Sequence, residues 1–416
     1  MPASFERQQN RVINLGVYVG MMDERERQFL QDLSDQAGKR GIRIGVFSRR
    51  DIDFSGTTIR MQVWDHQAQR WLVRDSGFPK RIYNRCLDPA RPARAALTRL
   101  LRASRAQLLQ RPIAGKWRMQ QLLRRHPLLR SAVPRGARLR GRAQLTAWLR
   151  RAGAHVAAGA PLSTQRASTS DSGARTGGVS GSVVLKPLTG SGGRGVLRLS
   201  MAADGAITAR GRDRENRIVN RKFEQTPKRL RQAPQSAVAA CLRWIRQTLG
   251  PVPLLMQPFY KLETRDGRPF DMRAFVRKQF VNKSNNKAWQ TIGYAVRVGE
   301  SGGLTSNLAG GGVALTLQEF MKHHYTNTNR LQTKRLIERM NAISRRIAQI
   351  AERRFGTLFE LGIDFALTES GQLYVLEVNG KPGRSAFLQS QQADVYTATI
   401  HGVIHAYLNL TGGSRH

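Results

Sequence analysis

Short apolar runs alternate with amphipathic, charged stretches along this chain, and the first few set its opening architecture. Residues 12–19 (Val-Ile-Asn-Leu-Gly-Val-Tyr-Val) and 42–47 (Ile-Arg-Ile-Gly-Val-Phe) read as strands. Between them, 23–39 is charged and helical in pattern, with Phe29, Leu30 and Leu33 toward a core and Gly41 ending the helix. That order is a short βαβ unit. Residues 58–64 and 70–74 predict a hairpin around Asp65-His66-Gln67, 81–84 a further strand, and 90–110 an Arg/Ala/Leu helix.

Helices are expected over 116–125, with Trp117, Met119, Leu122 and Leu123 as apolar contacts, and over 143–152. Ser, Thr and Gly dominate 161–182, which reads as a long loop. Strands are expected from Val183-Val184-Leu185 and over 197–200, 207–211, 253–260, 270–281 and 289–298. Val238, Leu242, Ile245 and Leu249 give 235–249 an apolar helical face. The longest helix should cover 331–353, where Leu331, Leu336, Ile337, Met340, Ile343, Ile347 and Ile350 recur mostly at three- and four-residue steps and mark core. Strands at 362–368 and 373–379, joined by Glu369-Ser370-Gly371, precede a last helix at 391–409. No internal repeat is evident.

With 416 residues, 40% of them hydrophobic, the chain can bury more than one domain. Two cysteines, Cys86 and Cys241, provide neither a disulfide framework nor a zinc cluster. His323-His324 reads as a surface pair at a helix start rather than a metal site. No basic start followed by an apolar segment and no long apolar stretch is present, so neither a signal peptide nor a membrane span is expected. Charge changes the picture more. Lys and Arg total 69 against 28 Asp and Glu, a net +41. Residues 81–170 hold 20 Arg/Lys and one acid, Asp88. Such a field favours polyanions, whether it is a solvated arginine-rich surface or a contact face. Nucleic acid is the less favoured partner. The chain lacks a zinc-finger pattern, and its basic stretches lack interleaved aromatics apart from Trp117 and Trp148.

Two segments carry candidate chemistry. Gly190-Ser191-Gly192-Gly193-Arg194-Gly195 has the letters of a dinucleotide fingerprint. That fingerprint should open a helix, and here Val196-Leu197-Arg198-Leu199 reads as a strand, so the glycines form a hairpin loop. Such a loop lets backbone N–H groups converge on phosphate oxygens, and Lys186 on the adjoining strand can pair with them. The second segment supplies hard oxygen ligands. Glu377 and Asn379 share one face of a strand, and Asp364 lies across a tight turn from them, a set suited to Mg2+. Leu376 and Val378 should then face the core. Together the pieces indicate a site for Mg-nucleotide. Arg273 shares a strand face with Asp271, so the two could simply pair.

These pieces resemble the ATP-grasp superfamily and, more narrowly, the YheC/YheD group described as endospore coat-associated proteins. The likeness rests on Tyr83-Asn84-Arg85, Lys116-Trp117, Val184-Leu185-Lys186-Pro187, the loop 190–195, Gln257, Phe270-Asp271-Met272-Arg273, Ser306-Asn307-Leu308-Ala309-Gly310-Gly311 and Asp364…Glu377-Val378-Asn379. It implies an α/β and α+β chain, an ATP-grasp fold with an N-terminal α/β domain at 1–110. The grasp domain would cover 111–411, with 183–255 as the part that closes over phosphates. By the same resemblance Lys116 and Lys186 contact the nucleotide, with Gly190, Ser191, Gly192, Gly193 and Gly195 around its phosphates. Strand 254–260, including Gln257, passes the adenine. Asp364, Glu377 and Asn379 hold Mg2+, Arg273 and Lys186 act on the transferring phosphate, and Asn307 lies near the same end. The implied activity is an ATP- and Mg-dependent carboxylate–amine ligase working through an acylphosphate. Its carboxylate and amine substrates could belong to an anionic peptide or polymer. The alternative is a nucleotide-binding structural protein of the spore coat. The implied location is the cytoplasm, with possible spore association.

Overall fold

The computed structural model describes residues 12–20, 23–87, 91–157, 182–190, 192–224, 237–279, 289–306, 308, 311–324 and 330–412. Ser191, Asn307, most of the 161–182 loop and the ends of the expected 235–249 helix and 270–281 strand lie outside them.

The first sheet holds β1 (Leu15–Tyr18), β2 (Ile44–Phe47), β3 (Ile52–Asp53), β4 (Thr58–Asp65), β5 (Arg70–Gly77), β6 (Arg81–Asn84) and β7 (Gln107–Leu108). Its order is β3-β4-β2-β1-β6-β7, with β5 on β4. β1 runs parallel to β2 and β6, as the βαβ reading requires. The crossover is α1 (Glu24–Gly38), opened by the Asp23 side chain, which accepts from the Glu26 N–H at 2.9 Å. Phe29, Leu30 and Leu33 of α1 are buried. The opposite face of the sheet is covered by α2 (Arg91–Ser104) through Ala93, Leu97 and Leu100.

Next come α3 (Lys116–Arg124) and the second sheet, built from β8 (Ala137–Arg138), β9 (Ser182–Pro187), β10 (Leu197–Met201), β11 (Ile207–Arg212), β12 (Ile218–Phe223) and β13 (Leu254–Pro258). All its pairings are antiparallel, in the order β12-β11-β10-β9-β13-β8. One face is covered by α4 (Arg142–Ala157) and α5 (Ala237–Leu249), and Leu145, Leu149, Cys241 and Ile245 meet Val183, Leu185 and Leu197 there. The period-two pattern of β9 puts Val183 and Leu185 in that core and frees the other face for Lys186.

The third sheet is antiparallel: β14 (Phe270–Lys278), β15 (Trp289–Val298), β16 (Val313–Thr316), β17 (Glu360–Leu367) and β18 (Leu373–Asn379), in the order β16-β15-β14-β17-β18. One face carries α6 (Leu317–His324) and α7 (Arg330–Phe355), whose Met340, Ile347 and Ala351 are buried. The other face carries α8 (Ser385–Gln389) and α9 (Ala393–Leu410), and their core continues into α1, β1 and β2. With helices on both faces, β17 is buried along its whole length, which explains its near-continuous apolar run.

Three expectations need correction. Leu331, expected on the core face of the long helix, is exposed at the start of α7, whereas the last helix, expected over 391–409, is α9, preceded by the short α8. His323 and His324 end α6 rather than start a helix; the start is a reciprocal cap between Thr316 and Glu319. Leu376 is not part of a clean alternation. β17 and β18 pair Asp364 with Glu377 but Phe365 with Val375, so Leu376 bulges.

Candidate functional site

Between the second and third sheets lies a cleft of about 790 Å³. Its walls include Lys116, Lys186, Gly192, Gly193 and Gln257, facing Arg273, Asp364, Glu377 and Asn379. Most of the residues singled out in the sequence therefore converge. Gly190 contributes its carbonyl, which accepts from Lys116 Nζ at 2.9 Å. Gly195 does not line the cleft. It packs against Pro187 and donates its N–H to Asp213 O at 2.9 Å, closing the turn. At Gly193, φ is +72° and an added Cβ would sit 2.9 Å from Thr305 Oγ1, so only glycine suits this close approach. Ser191 and Asn307 lie outside the described residues.

On the third sheet the register sets the carboxylates. Asp364 lies opposite Glu377, and Gly362 opposite Asn379. Asn379 Nδ2 donates to Asp364 Oδ2 at 3.2 Å. Arg273 lies opposite Asp364 in the β14–β17 pairing and grips it with two bonds, 2.7 and 2.8 Å. The partner of Arg273 is therefore Asp364, not Asp271. Asp271 is taken by Arg297 of β15 at 2.7 and 2.5 Å, and Arg297 also reaches Asp364 at 3.1 Å. Burial opposes the Asp364 charge, but Arg273 and Arg297 outweigh it and hold the carboxyl well below the usual range. Burial likewise opposes the Arg297 charge, and Asp271 with Asp364 overcomes it, holding the guanidinium well above its ordinary value.

Arg297 is the site residue the sequence reading passed over. Its signal is the antiparallel pairing of two strands that were both expected, which sets it directly opposite Asp271.

Lys186 behaves differently. Its ammonium reaches only Leu376 O, at 3.4 Å, among its hydrogen-bond acceptors in the described residues. The bulge exposes that carbonyl to the cleft. Burial is the main cause pushing the lysine down to about 8; Glu377 and Asp364 partly offset it, and Lys116 adds to it. Lys116 stands 3.6 Å from Glu377, so one cation bridges the glycine loop and the carboxylate strand.

The first sheet closes the far end. Arg85 grips Glu26 at 2.9 and 3.0 Å and donates to Pro382 O at 3.1 Å. Tyr83 Oη donates to Glu360 at 2.6 Å, and Arg384 pairs with the same carboxylate. Lys381 bonds Asn84 Oδ1 at 3.1 Å and also Cys86 O. These bonds give the Tyr83-Asn84-Arg85 segment its role: it fixes the loop after Asn379. Contacts from the second-sheet side to the third are polar and aromatic: Arg210 to Gly302 O at 2.5 Å, Arg212 to Glu300 at 3.4 Å, and Tyr260 stacked on Tyr374 with ring centroids 4.3 Å apart.

The donor set fits a Mg-nucleotide. Two carboxylates and an amide from adjacent strands are hard oxygen ligands, and a desolvated ammonium faces them from across the cleft. Among the described residues no group of three His, Cys, Asp or Glu side chains is placed to hold a metal ion. No helix of the described residues is long and apolar enough to cross a membrane.

A family profile described as YheC/D-like ATP-grasp matches residues 163–408. Endospore coat-associated protein YheC of Bacillus subtilis (strain 168) is 24% identical over 399 residues, 94% of each chain. Endospore coat-associated protein YheD of the same organism is 25% identical over 206 residues, 49% of this chain, which spans 40% of that relative's length. Among solved structures, D-alanyl-alanine synthetase A from Vibrio cholerae O1 biovar eltor aligns with 96% of this chain and 100% of its own at 10% identity, with a TM-score of 0.49.

Proposed function

The chain belongs to the YheC/D-like ATP-grasp family, and from that premise we propose that it is an ATP-dependent ligase that joins a carboxylate to an amine through an acylphosphate. The observation that carries the reading is the half-buried Lys186 ammonium, held in the cleft without a bonded carboxylate opposite Asp364, Glu377 and Asn379. Burying such a charge is costly, and a phosphate group is the natural counter-ion.

In this reading Lys116, Lys186 and the glycine loop at Gly192 and Gly193 hold the phosphates, Gln257 on β13 lies toward the base, and Asn307 toward the acceptor end. Asp364, Glu377 and Asn379 would hold Mg2+, which supplies charge neutralisation between the β- and γ-phosphates. The substrate carboxylate attacks the γ-phosphorus and ADP leaves. The amine then attacks the acyl carbon, and inorganic phosphate leaves. Arg273 offsets the charge that develops on the phosphoryl oxygens, while Arg297 keeps Asp364 ionised. Closing the glycine loop excludes water from the acylphosphate. We assign residues 1–110 to the N-terminal domain, 111–411 to the grasp domain and 183–255 to its moving cover. The self-contained core of the second sheet supports that division.

The names of the two Bacillus subtilis relatives favour a second reading, a nucleotide-binding protein associated with the spore coat that does not turn over. Hydroxylamine trapping separates the two. With Mg-ATP and a panel of amino acids and acidic peptides, the ligase yields hydroxamate that requires one carboxylate class and disappears in Glu377→Gln. Mg-ATP binding without hydroxamate from any carboxylate supports the second reading, and no Mg-ATP binding contradicts both.

A further inference from the structure

The cleft continues past Asp364 and Asn379 to the first sheet, where Phe29 of α1 and Arg85 and Leu87 after β6 join its lining. β1 has parallel neighbours on both sides, β2 and β6, and the chain leaves it toward β2 through α1. In open α/β sheets the crevice beyond the carboxyl ends of such strands is where ligands sit. Lys381, on the loop after β18, faces this crevice. It lines the cleft, and its ammonium donates to Asn84 Oδ1, at the end of β6, at 3.1 Å and to Cys86 O. Its backbone is fixed on both sides. Gly380 O accepts from Gln110, and Pro382 O accepts from Arg85 at 3.1 Å and from Arg384 at 3.2 Å. The same loop packs on the Arg273 end of the site. A Cβ on Gly362 would lie 2.9 Å from Pro382 Cβ, and one on Gly383 3.9 Å from Arg273 Nη1.

Most cations that line this cleft are matched. Arg85 meets Glu26, Lys116 meets Glu377, Arg273 meets Asp364, Arg297 meets Asp271 and Arg384 meets Glu360. Lys186 lacks such a partner and belongs to the nucleotide phosphates in the reading above. Arg25 is exposed on the rim and donates to Leu308 O at 3.4 Å. Lys381 is the remaining cation. Both its acceptors are neutral, and no carboxylate pairs with it among the described residues. An ammonium carries three donors, so one is left for a ligand. The acids at this end do not neutralise it. Glu26 is held by Arg85, Asp23 caps α1, and Glu24 is exposed.

We propose that Lys381 binds the substrate carboxylate that attacks ATP, in the crevice between the end of β6 and the loop after β18. The inference rests on the ligase reading and adds to it the residue that holds this substrate. An ammonium is a point charge that one carboxylate oxygen satisfies, which leaves the second oxygen to attack the γ-phosphorus on the Arg273 side. The competing role is a structural tie, in which the bonds to Asn84 and Cys86 are all that Lys381 contributes.

The test is steady-state hydroxamate formation by the full chain with Mg-ATP and hydroxylamine, varying whichever amino acid or acidic peptide supports the reaction. Lys381→Met should raise the KM for that carboxylate at least about tenfold and leave the KM for Mg-ATP within about twofold. Asn84→Ala removes one bond of the tie but keeps the ammonium, and should change the carboxylate KM by less than about threefold. In the wild type with Mg-ADP, the same carboxylate should shield Lys381 from acylation by N-hydroxysuccinimidyl acetate, read by peptide mass spectrometry. That measurement decides alone if Lys381→Met fails to fold. An unchanged carboxylate KM in Lys381→Met, equal effects of the two variants, or equal labelling with and without the carboxylate overturns the proposal and leaves the ligase reading intact. Hydroxamate from no carboxylate overturns the ligase reading and the proposal with it.

Discussion

On the third-sheet wall of the cleft, Arg273, Asp364, Arg297 and Asp271 alternate in sign across three strands and neutralise one another. On the second-sheet wall, Lys186 is half-buried, and a carbonyl at 3.4 Å is its hydrogen-bond partner. The same type of residue, a charge drawn out of water, thus serves two ends. The paired set costs little while intact and resists change. The unpaired lysine is a standing cost of the free protein that a bound phosphate relieves. Preorganised charge of this kind is what a site needs if charge is to be met without reorganisation.

The largest effect should come from breaking the paired wall. Asp364→Asn leaves the Arg273 guanidinium without its carboxylate, while Arg297 keeps Asp271, and is expected to lower stability by about 3–5 kcal/mol in denaturant unfolding. Next, Lys186→Met should raise the stability of the free protein while weakening Mg-ATP at least about tenfold in calorimetry. The sign follows from the depressed lysine. Its folded value of about 8 lies below the unfolded 10.5, a difference of roughly 3 kcal/mol if fully expressed. The penalty is complete below pH 8 and relieved as pH rises from there toward 10.5, so the stability gap between variant and wild type should narrow over that window. Mg-ATP affinity of the wild type should fall above pH 8 as the same group loses its proton.

Glu377→Gln tests the middle ground. Its side chain is 26% exposed and its contact with Lys116 is long, so stability should change by less than about 1 kcal/mol while Mg-ATP binding drops at least about tenfold. The smallest stability effect is expected from Gly193→Ala, about 1 kcal/mol from the positive φ and the approach to Thr305. Its nucleotide affinity should weaken several-fold, measured in the same titration.

Much of this contrast could be read from residues alone. Lys186, the glycine hairpin and Asp364…Glu377-x-Asn379 stand out because strand period and turn chemistry are local properties. The long α7 and the hairpin at 369–371 were equally plain, for the same reason. What escaped depends on register. Arg273 chooses Asp364 over its own-strand neighbour Asp271 because an opposite residue on a paired strand is closer than the next position along the chain. Arg297 enters the site by the same route. The Leu376 bulge, which presents a carbonyl to Lys186, leaves no mark in an otherwise apolar run. Two-residue strands such as β8 carry too few residues for a period. The five-residue α8 is likewise too short to show a helical period.

The most direct measurement is thermal unfolding of wild type and Lys186→Met at neutral pH, each with and without saturating Mg-ATP. The unpaired-lysine account predicts that the variant melts higher than wild type without ligand and gains little from Mg-ATP, while wild type gains several degrees. A variant that melts lower and still shows the full ligand shift would contradict it.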